Sequence, residues 1–294
     1  LHTHAAMKAL LFDRDLSGRE KMWFFTRLFK KEFWPFTERV TFKGSQKGGL
    51  DLMLATSYVP EAGWARDMSL IRWLIWLVPR VRKHIFDPTY FDATINMMDR
   101  LESEIESYNS TMEEDEKPVA MITSVGALQG FLDSDAETRG LGIIHCVEGA
   151  HSLHGALGGK DVEDCEADPA DLKTELMANL QALYDRGVAY ITLAHFFQNH
   201  VVHPVFPYPE YALKHVNRDE VMDRWDMNKG LTEAGKEIVE KMLELGMLID
   251  VCHCTPVARK EIYDIVDSQN KSECLMSTHT GVFEMNPDPY NLED

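Results

Sequence analysis

Positive charge is scarce in this sequence. Its 294 residues carry 30 Lys and Arg against 48 Asp and Glu, which gives a formal net charge of -18 at pH 7. A field of that sign repels phosphate backbones and anionic membrane surfaces, so we do not expect a nucleic acid as a partner. The same field attracts cations, and the composition is therefore compatible with a metal site.

The sequence also lacks a long hydrophobic run, a signal peptide and an initiator methionine. The most apolar stretch, 70–78, contains Arg72 and is too short for a transmembrane helix, which takes about 20 residues. We interpret this stretch as a buried helix or a dimer face, with a membrane-surface contact through Trp73 and Trp76 as the alternative. Because the chain opens directly on Leu1, we expect that the native N-terminus precedes it, and the compartment stays open between cytoplasm and periplasm.

Cysteine is infrequent, whereas histidine is abundant. The 5 cysteines cannot all pair, and their spacing is not that of a disulfide scaffold. Cys252 and Cys254 flank His253, but no second cysteine pair with suitable spacing completes a zinc cluster. The 12 histidines are the more informative residues.

Helical and strand-like patterns alternate from about Val119 onward. Over 171–186, leucines recur every three or four residues and so share one helical face, and Gly187 then ends the helix. The apolar run 188–194 that follows is typical of a buried strand, and the same order returns around Gly246. Apolar strands separated by helices favour a parallel sheet that is covered on both faces.

Several predicted strands end on residues that can bind a metal ion. Polar residues at the carboxyl ends of many strands are typical of a β/α barrel, whereas a doubly wound open sheet would gather its site at one switch point. The sequence therefore predicts an α/β fold, a TIM-type β/α barrel of the metal-dependent hydrolase type. The strand ends with this property are Glu148, His195, His253 and His279.

We predict one domain over 1–294, with a Trp-rich helical insertion around 60–118. A closed barrel of this type has eight strands. About seven strand candidates can be counted, so we expect the barrel to be incomplete at its C-terminus and the chain to be truncated there. These candidates end at His4, Val59, Ser124, Glu148, His195, His253 and His279.

A binuclear metal site is one interpretation of these residues. His2 and His4 lie on the same side of a strand, because side chains alternate with period two, and two imidazoles can chelate one divalent ion. With His253, His279 and a bridging Glu148, they suit two ions about 3.5–4 Å apart. The alternatives are a chance His-x-His pair and a core role for His253.

Four segments resemble a known family. Residues 147–153, Val-Glu-Gly-Ala-His-Ser-Leu, are similar to the Glu-Gly-Gly-His-Ser segment of the renal (membrane) dipeptidases, which are binuclear zinc hydrolases of the amidohydrolase superfamily. Residues 190–195 resemble the strand Tyr-Leu-Thr-Leu-Thr-His of that family. Residues 230–253 are similar to its Gly-Leu helix and Leu-Ile-Asp strand, and 277–280 stand where it has Ser-His-Ser.

The resemblance implies a zinc-dependent dipeptidase, in which a hydroxide that bridges two zinc or other divalent ions attacks a small peptide or amide. His195 would hydrogen-bond the scissile carbonyl and its tetrahedral intermediate, an oxyanion-stabilising role. Family members are commonly dimers, so a homodimer is expected. The implied metal ligands are His2 and His4 for one ion and His253 and His279 for the other, with Glu148 as the catalytic bridge and His151 and Asp250 as orienting residues.

Two departures from the family pattern bear on the substrate and on turnover. Tyr290 stands where the family has the arginine that binds the substrate carboxylate. The family's Asp-Phe-Asp-Gly motif, whose aspartate protonates the leaving amine, would lie beyond Asp294, so we expect residues 1–294 alone to hydrolyse dipeptides poorly or not at all. The substrate side chains and the metal bound in the cell stay open.

Two other functions are compatible with the sequence. Another binuclear amidohydrolase or a phosphoesterase could use the same ligands, although a phosphoesterase needs a basic phosphate pocket that this acidic chain does not display. A catalytically degenerate relative could keep the fold as a binding or structural module.

Overall fold

The structure is a computed structural model that describes residues 1–12, 15–18, 40–67, 72–73, 75, 77–156, 158, 160, 162, 168–206 and 225–281. The chain divides into two compact units. The first comprises Leu1–Ser57 and Asn96–His145, and the second comprises Tyr58–Ile95 and Cys146–Asp294. The single domain with an insertion around 60–118 stays a prediction.

All seven predicted strands form. Each ends at the predicted residue or within three residues before it. The strands are β1 (His2–Thr3), β2 (Leu52–Tyr58), β3 (Val119–Met121), β4 (Leu141–Glu148), β5 (Tyr190–Thr192), β6 (Leu248–Asp250) and β7 (Leu275–Met276).

The strands of the first unit pair in parallel. His2 lies opposite Leu54, which sets β1 against β2, and Val119 lies opposite Leu141, which sets β3 against the start of β4. The Gly142 amide donates to the Asp51 carbonyl at 2.8 Å.

Helices of the first unit pack beside these strands. They are α1 (Ala5–Phe12), α2 (Phe42–Lys47), the part of α5 (Tyr90–Ser110) from Asn96 onward, and α6 (Val125–Asp133). Phe42 is buried and packs edge-on against Tyr108 of α5 at 5.4 Å between ring centroids. Met97, Met98 and Leu101 of α5 are also buried, so α5 supplies a continuous apolar face to this core.

The second unit carries the remaining parallel ladder. The end of β4 pairs with β5, β5 pairs with β6, and β6 pairs with β7, all in parallel. Ile191 and Ile249 lie opposite each other and are fully buried, as expected for strands covered on both faces. The predicted α/β class with a parallel sheet is confirmed.

Two long helices of the second unit lie within two residues of the stretches that the sequence predicts. Helix α7 (Pro169–Asp185) starts with Asp168 capping the Ala170 amide, and α8 (Glu233–Leu245) starts with Thr232 capping the Gly235 amide. Gly246 ends α8 with φ of 74°, a left-handed conformation that favours glycine. The third long helix is α9 (Pro256–Ser268), and α8 contacts both α7 and α9.

Shorter helices occupy the stretch from 60 to 95 and the strand connections. They are α3 (Ala62–Asp67), α4 (Pro79–Val81), a π-helix (Arg82–Phe86) and two 3-10 helices (Ala150–Leu153 and Ser272–Cys274). Among the described residues of the apolar stretch 70–78, Trp73 and Leu77 are 60% and 53% exposed, so the expectation of a buried helix is wrong for these two side chains. The dimer face and the membrane contact stay predictions. Within the described part of the chain, no helix is long and apolar enough to cross a membrane.

Gly149 tests how tightly the end of β4 is packed. Its φ is 89°, and an added Cβ would lie 2.2 Å from Cε1 of His151, a buried ring held by the Val59 carbonyl. We expect Gly149→Ala to cost about 2–5 kcal/mol, because backbone strain and overpacking add. Gly246→Ala is the comparison: its φ is also positive, but its ψ of 23° lies in the left-handed helical region and nothing lies within 4 Å, so this variant should cost only about 1–2 kcal/mol. Urea unfolding of the two variants measures the difference, and equal losses would contradict the packing argument.

Candidate metal centre and active site

Three predicted ligands converge at the strand ends of the second unit. Glu148 is the last residue of β4, whereas His253 and His279 each lie three residues beyond β6 and β7. The Nε2 atoms of the two histidines are 2.8 Å apart, and Oε1 of Glu148 lies 3.6 Å from the first and 3.3 Å from the second. Two imidazole nitrogens and one carboxylate oxygen at these distances form a group that can hold a divalent ion, and the donor types suit zinc.

The backbone at His253 is strained. Its φ is 61°, and among the residues that the structure describes only Asn270 shares a positive φ without being glycine. Such a conformation costs of order 1–3 kcal/mol and persists where the surroundings impose it. The Val205 amide donates to the His253 carbonyl at 2.8 Å and so fixes this peptide. The strain coincides with the residue predicted to bind the ion.

A buried carboxylate lies beneath the two histidines. Asp250 is fully buried and accepts four hydrogen bonds: from the hydroxyls of Thr192 at 2.7 Å and Thr278 at 2.6 Å, and from the amides of Cys252 and Thr278, both at 3.2 Å. These bonds join the ends of β5, β6 and β7 around one charged group.

The Thr278 hydroxyl connects Asp250 to His279 through two hydrogen bonds. Its oxygen is 2.6 Å from Asp250 and 2.7 Å from Nδ1 of His279. Because the single hydroxyl proton goes to the carboxylate, the oxygen accepts from the Nδ1–H of the ring. Nε2 of His279 then keeps its lone pair for a cation.

The thiol of Cys252 joins the same strand ends. Its sulfur is 3.2 Å from the amides of both Thr278 and His279 and 3.0 Å from the Thr280 hydroxyl. Burial raises the pKa of this thiol, but hydrogen bonds with His279 and with the neighbouring hydroxyls outweigh burial, so the pKa is lowered. The spacing of the cysteines in the sequence did not reveal this contact.

His195 lies beside the three ligands without joining their group. Its ring is buried, with Nε2 3.8 Å from Oε2 of Glu148 and the ring centroid 4.9 Å from that of His253. Burial lowers the pKa of His195, and the neighbouring carboxylates offset this only in part. The ring is thus placed to face a molecule bound at the centre.

Glu61 is a buried site residue that the sequence analysis missed. Its Oε1 lies 3.1 Å from Nδ1 of His195 and accepts from the Phe196 amide at 3.2 Å, while Oε2 accepts from the Tyr58 hydroxyl at 2.7 Å. Burial raises the pKa of Glu61, but the imidazoles of His195 and His151 and the hydrogen bonds outweigh burial and lower it to about 2. Glu61 follows the predicted strand end at Val59 by two residues. Its position near a strand end is therefore a signal in the sequence, whereas its burial is not.

His151 packs on the same side as Glu61. Its Nε2–H donates to the Val59 carbonyl at 2.8 Å, and its Nδ1 is 3.9 Å from the Glu61 carboxylate. The Tyr90 ring packs edge-on against it at 5.2 Å. His151 therefore lies next to the carboxylate that contacts His195. Its predicted role in orienting metal ligands stays a prediction.

His2 and His4 lie together in the first unit, as the alternation of a strand predicts. Their rings are edge-on with centroids 5.2 Å apart. Nδ1 of His4 is 3.3 Å from the Thr56 carbonyl, and Nδ1 of His2 is 3.4 Å from the Thr56 hydroxyl. Both Nδ1 atoms are thus engaged by β2, which favours Nε2 as the metal-binding atom of each ring. Tyr290, the predicted departure from the family, lies outside the described residues.

Residues 169–294 match the family model for membrane dipeptidase, peptidase family M19. The resemblance to this family is confirmed. An uncharacterised dipeptidase from Schizosaccharomyces pombe is 36% identical over 86 residues, which are 29% of this chain and 17% of that protein. The chain therefore spans less than a fifth of the length of this curated relative.

Two solved structures of metallopeptidases share the fold. A metallopeptidase of family M19, dipeptidase AC, superposes with a TM-score of 0.57 at 15% identity, over 99% of this chain and 65% of that chain. A metallopeptidase from Rhodobacter sphaeroides, liganded with a phosphinate mimic of the dipeptide L-Ala-D-Ala, gives a TM-score of 0.57 at 16% identity, over 99% of this chain and 67% of that chain. This likeness confirms the predicted β/α-barrel fold class.

The Asp250 network predicts a large effect of a small change. Asp250→Asn places an amide donor against groups that already donate, so one or more buried hydrogen bonds is lost, and we expect a loss of about 2–4 kcal/mol in the free energy of unfolding. Asp264→Asn is the control, because that carboxylate is exposed and pairs only with Lys260 in its own helix. Its effect should stay within about 0.5 kcal/mol. Similar urea midpoints for the two variants would contradict the role of the network.

Proposed function

We propose that this chain carries the metal centre of a dipeptidase that hydrolyses the amide bond of a small peptide. The observation that supports it most is the convergence of Glu148, His253 and His279, with His195 beside them. The match of residues 169–294 to the membrane dipeptidase family supports the choice of an amide over other substrates. A homodimer remains part of this proposal.

Two divalent ions, zinc by preference, are proposed as cofactors. His253 and His279 would hold one ion, His2 and His4 would hold the other, and Glu148 would bridge them. Nδ1 of His279 and Nδ1 of His4 each face an oxygen atom, which favours Nε2 as the ligand atom of each ring. When bound, the two ions would supply a hydroxide nucleophile at neutral pH and would polarise the scissile carbonyl.

The residues of the chain itself have separate tasks in this proposal. His195 contacts the scissile amide and its tetrahedral intermediate, since its ring lies against Glu148 and His253. Asp250 orients His279 through Thr278. Phe196 packs beside both histidine rings, with its ring centroid 3.9 Å from that of His195 and 5.5 Å from that of His253.

Metal analysis tests the centre directly. After chelation and reconstitution with zinc, we expect close to two ions per chain, loss of dipeptide hydrolysis in the metal-free form and its return with zinc. Glu148→Gln should lower the zinc content, because a neutral amide bridges two cations poorly. His84→Ala is the control, since this residue lies in the π-helix and not at a strand end. Zinc binding without hydrolysis of any dipeptide would favour the binding-module alternative, and absence of zinc binding would refute the centre.

A second variant separates substrate contact from metal binding. We expect His195→Ala to lower kcat about 10²–10³-fold, the usual cost of removing one group that stabilises the intermediate, with zinc content unchanged. Assay of hydrolysis together with elemental analysis measures both. Loss of zinc from this variant would instead make His195 a metal ligand.

A further inference from the structure

Glu61 is the nearest carboxylate to the His195 ring among the described residues. Both residues are 4% exposed, and Nδ1 of His195 is 3.1 Å from Oε1 of Glu61. The two residues are separated by 134 positions in the sequence, so the contact is made by the tertiary fold and not by local geometry.

The other partners of Glu61 hold its carboxylate in place. The Tyr58 hydroxyl donates to Oε2 at 2.7 Å, and the Phe196 amide donates to Oε1 at 3.2 Å. Tyr58 is itself fixed, because it accepts from the Trp64 indole at 2.9 Å and its ring lies 4.3 Å from that of His195. Each oxygen of the carboxylate therefore has a defined direction.

These contacts determine which nitrogen of His195 carries the proton. An ionised carboxylate only accepts hydrogen bonds, so Nδ1 of His195 must donate to it. In the singly protonated ring, Nε2 then carries a lone pair on the side of Glu148, 3.8 Å from Oε2. A ring rotated by half a turn would place a carbon against Glu61 and lose the bond.

We propose that Glu61 is a positioning residue that fixes the orientation of the His195 ring and keeps its proton on Nδ1. The proposal rests on the function proposed above, in which His195 contacts the substrate.

A second histidine–glutamate pair in the same unit provides a matched control. Nδ1 of His154 is 3.7 Å from Oε1 of Glu175, but this nitrogen accepts a hydrogen bond from the Ala156 amide at 2.7 Å. The Glu175 side chain is 40% exposed. Glu175 therefore does not determine the tautomer of its histidine, and Glu175→Gln should be neutral.

The experiment combines two independent measurements on the zinc-loaded full chain. Long-range ¹H–¹⁵N spectra of histidine-labelled protein, assigned with His195→Ala, report which ring nitrogen is protonated. We expect the proton on Nδ1 in the wild type and in Glu175→Gln, and a mixture of tautomers in Glu61→Gln. Dipeptide kinetics should show kcat lowered about 10–100-fold in Glu61→Gln, with KM and zinc content unchanged.

The outcomes distinguish this inference from the proposed function. A wild-type His195 with its proton on Nε2 would overturn the inference, and this measurement holds even if Glu61→Gln does not fold. A folded Glu61→Gln that keeps both the tautomer and kcat would overturn it as well. If the wild type hydrolyses no dipeptide but shows the expected tautomers, the proposed function fails whereas the positioning of His195 by Glu61 stands.

Discussion

Burial of negative charge is the constraint on which the site depends. Glu61, Glu148 and Asp250 are between 0% and 4% exposed, and a carboxylate in such a position is strongly unfavourable unless donors or cations compensate it. Each of the three is met by side chains from other strand ends. The imidazoles and hydroxyls of the site therefore serve first to compensate the charge of these carboxylates. Their contacts with the carboxylates also set the orientation of their remaining polar atoms.

The three carboxylates are compensated in different ways, and the difference matches their proposed tasks. Asp250 accepts hydrogen bonds from two hydroxyls and two amides, which donate at any pH. It can therefore hold the strand ends together whether or not an ion is bound. The Glu61 carboxylate contacts a hydroxyl, an amide and one imidazole, so the compensation of its charge depends in part on the ring of His195. Glu148 faces imidazole nitrogens at 3.3 to 3.8 Å, so its environment responds to protons and cations.

Local sequence patterns were sufficient to predict the strand ends but not the contacts between them. Glu148 could be found because it ends an apolar strand, and His195, His253 and His279 because each lies within three residues of the end of one. Parallel strands bring their carboxyl ends to one edge. Glu61 has the same position relative to β2, but its partner lies 134 residues away, and nothing in the local pattern distinguishes it from an exposed loop carboxylate. The exposure of Trp73 and Leu77 shows the same limit, because an apolar run does not specify what covers it.

The close approach of His253 and His279 connects the stability of the second unit to its chemistry. Thr278 holds the Nδ1 proton of His279, so the lone pair of Nε2 points at the other imidazole across 2.8 Å. The Nε2–H of His253 can donate to this lone pair, and a metal cation would take the place of that proton. The strained φ of 61° at His253 is a cost that the fold already bears, so a cation that binds here meets groups that the fold has already assembled. Because the folded chain brings these ligands together and the unfolded chain does not, such a cation would stabilise the folded state by an amount that grows with the logarithm of its affinity.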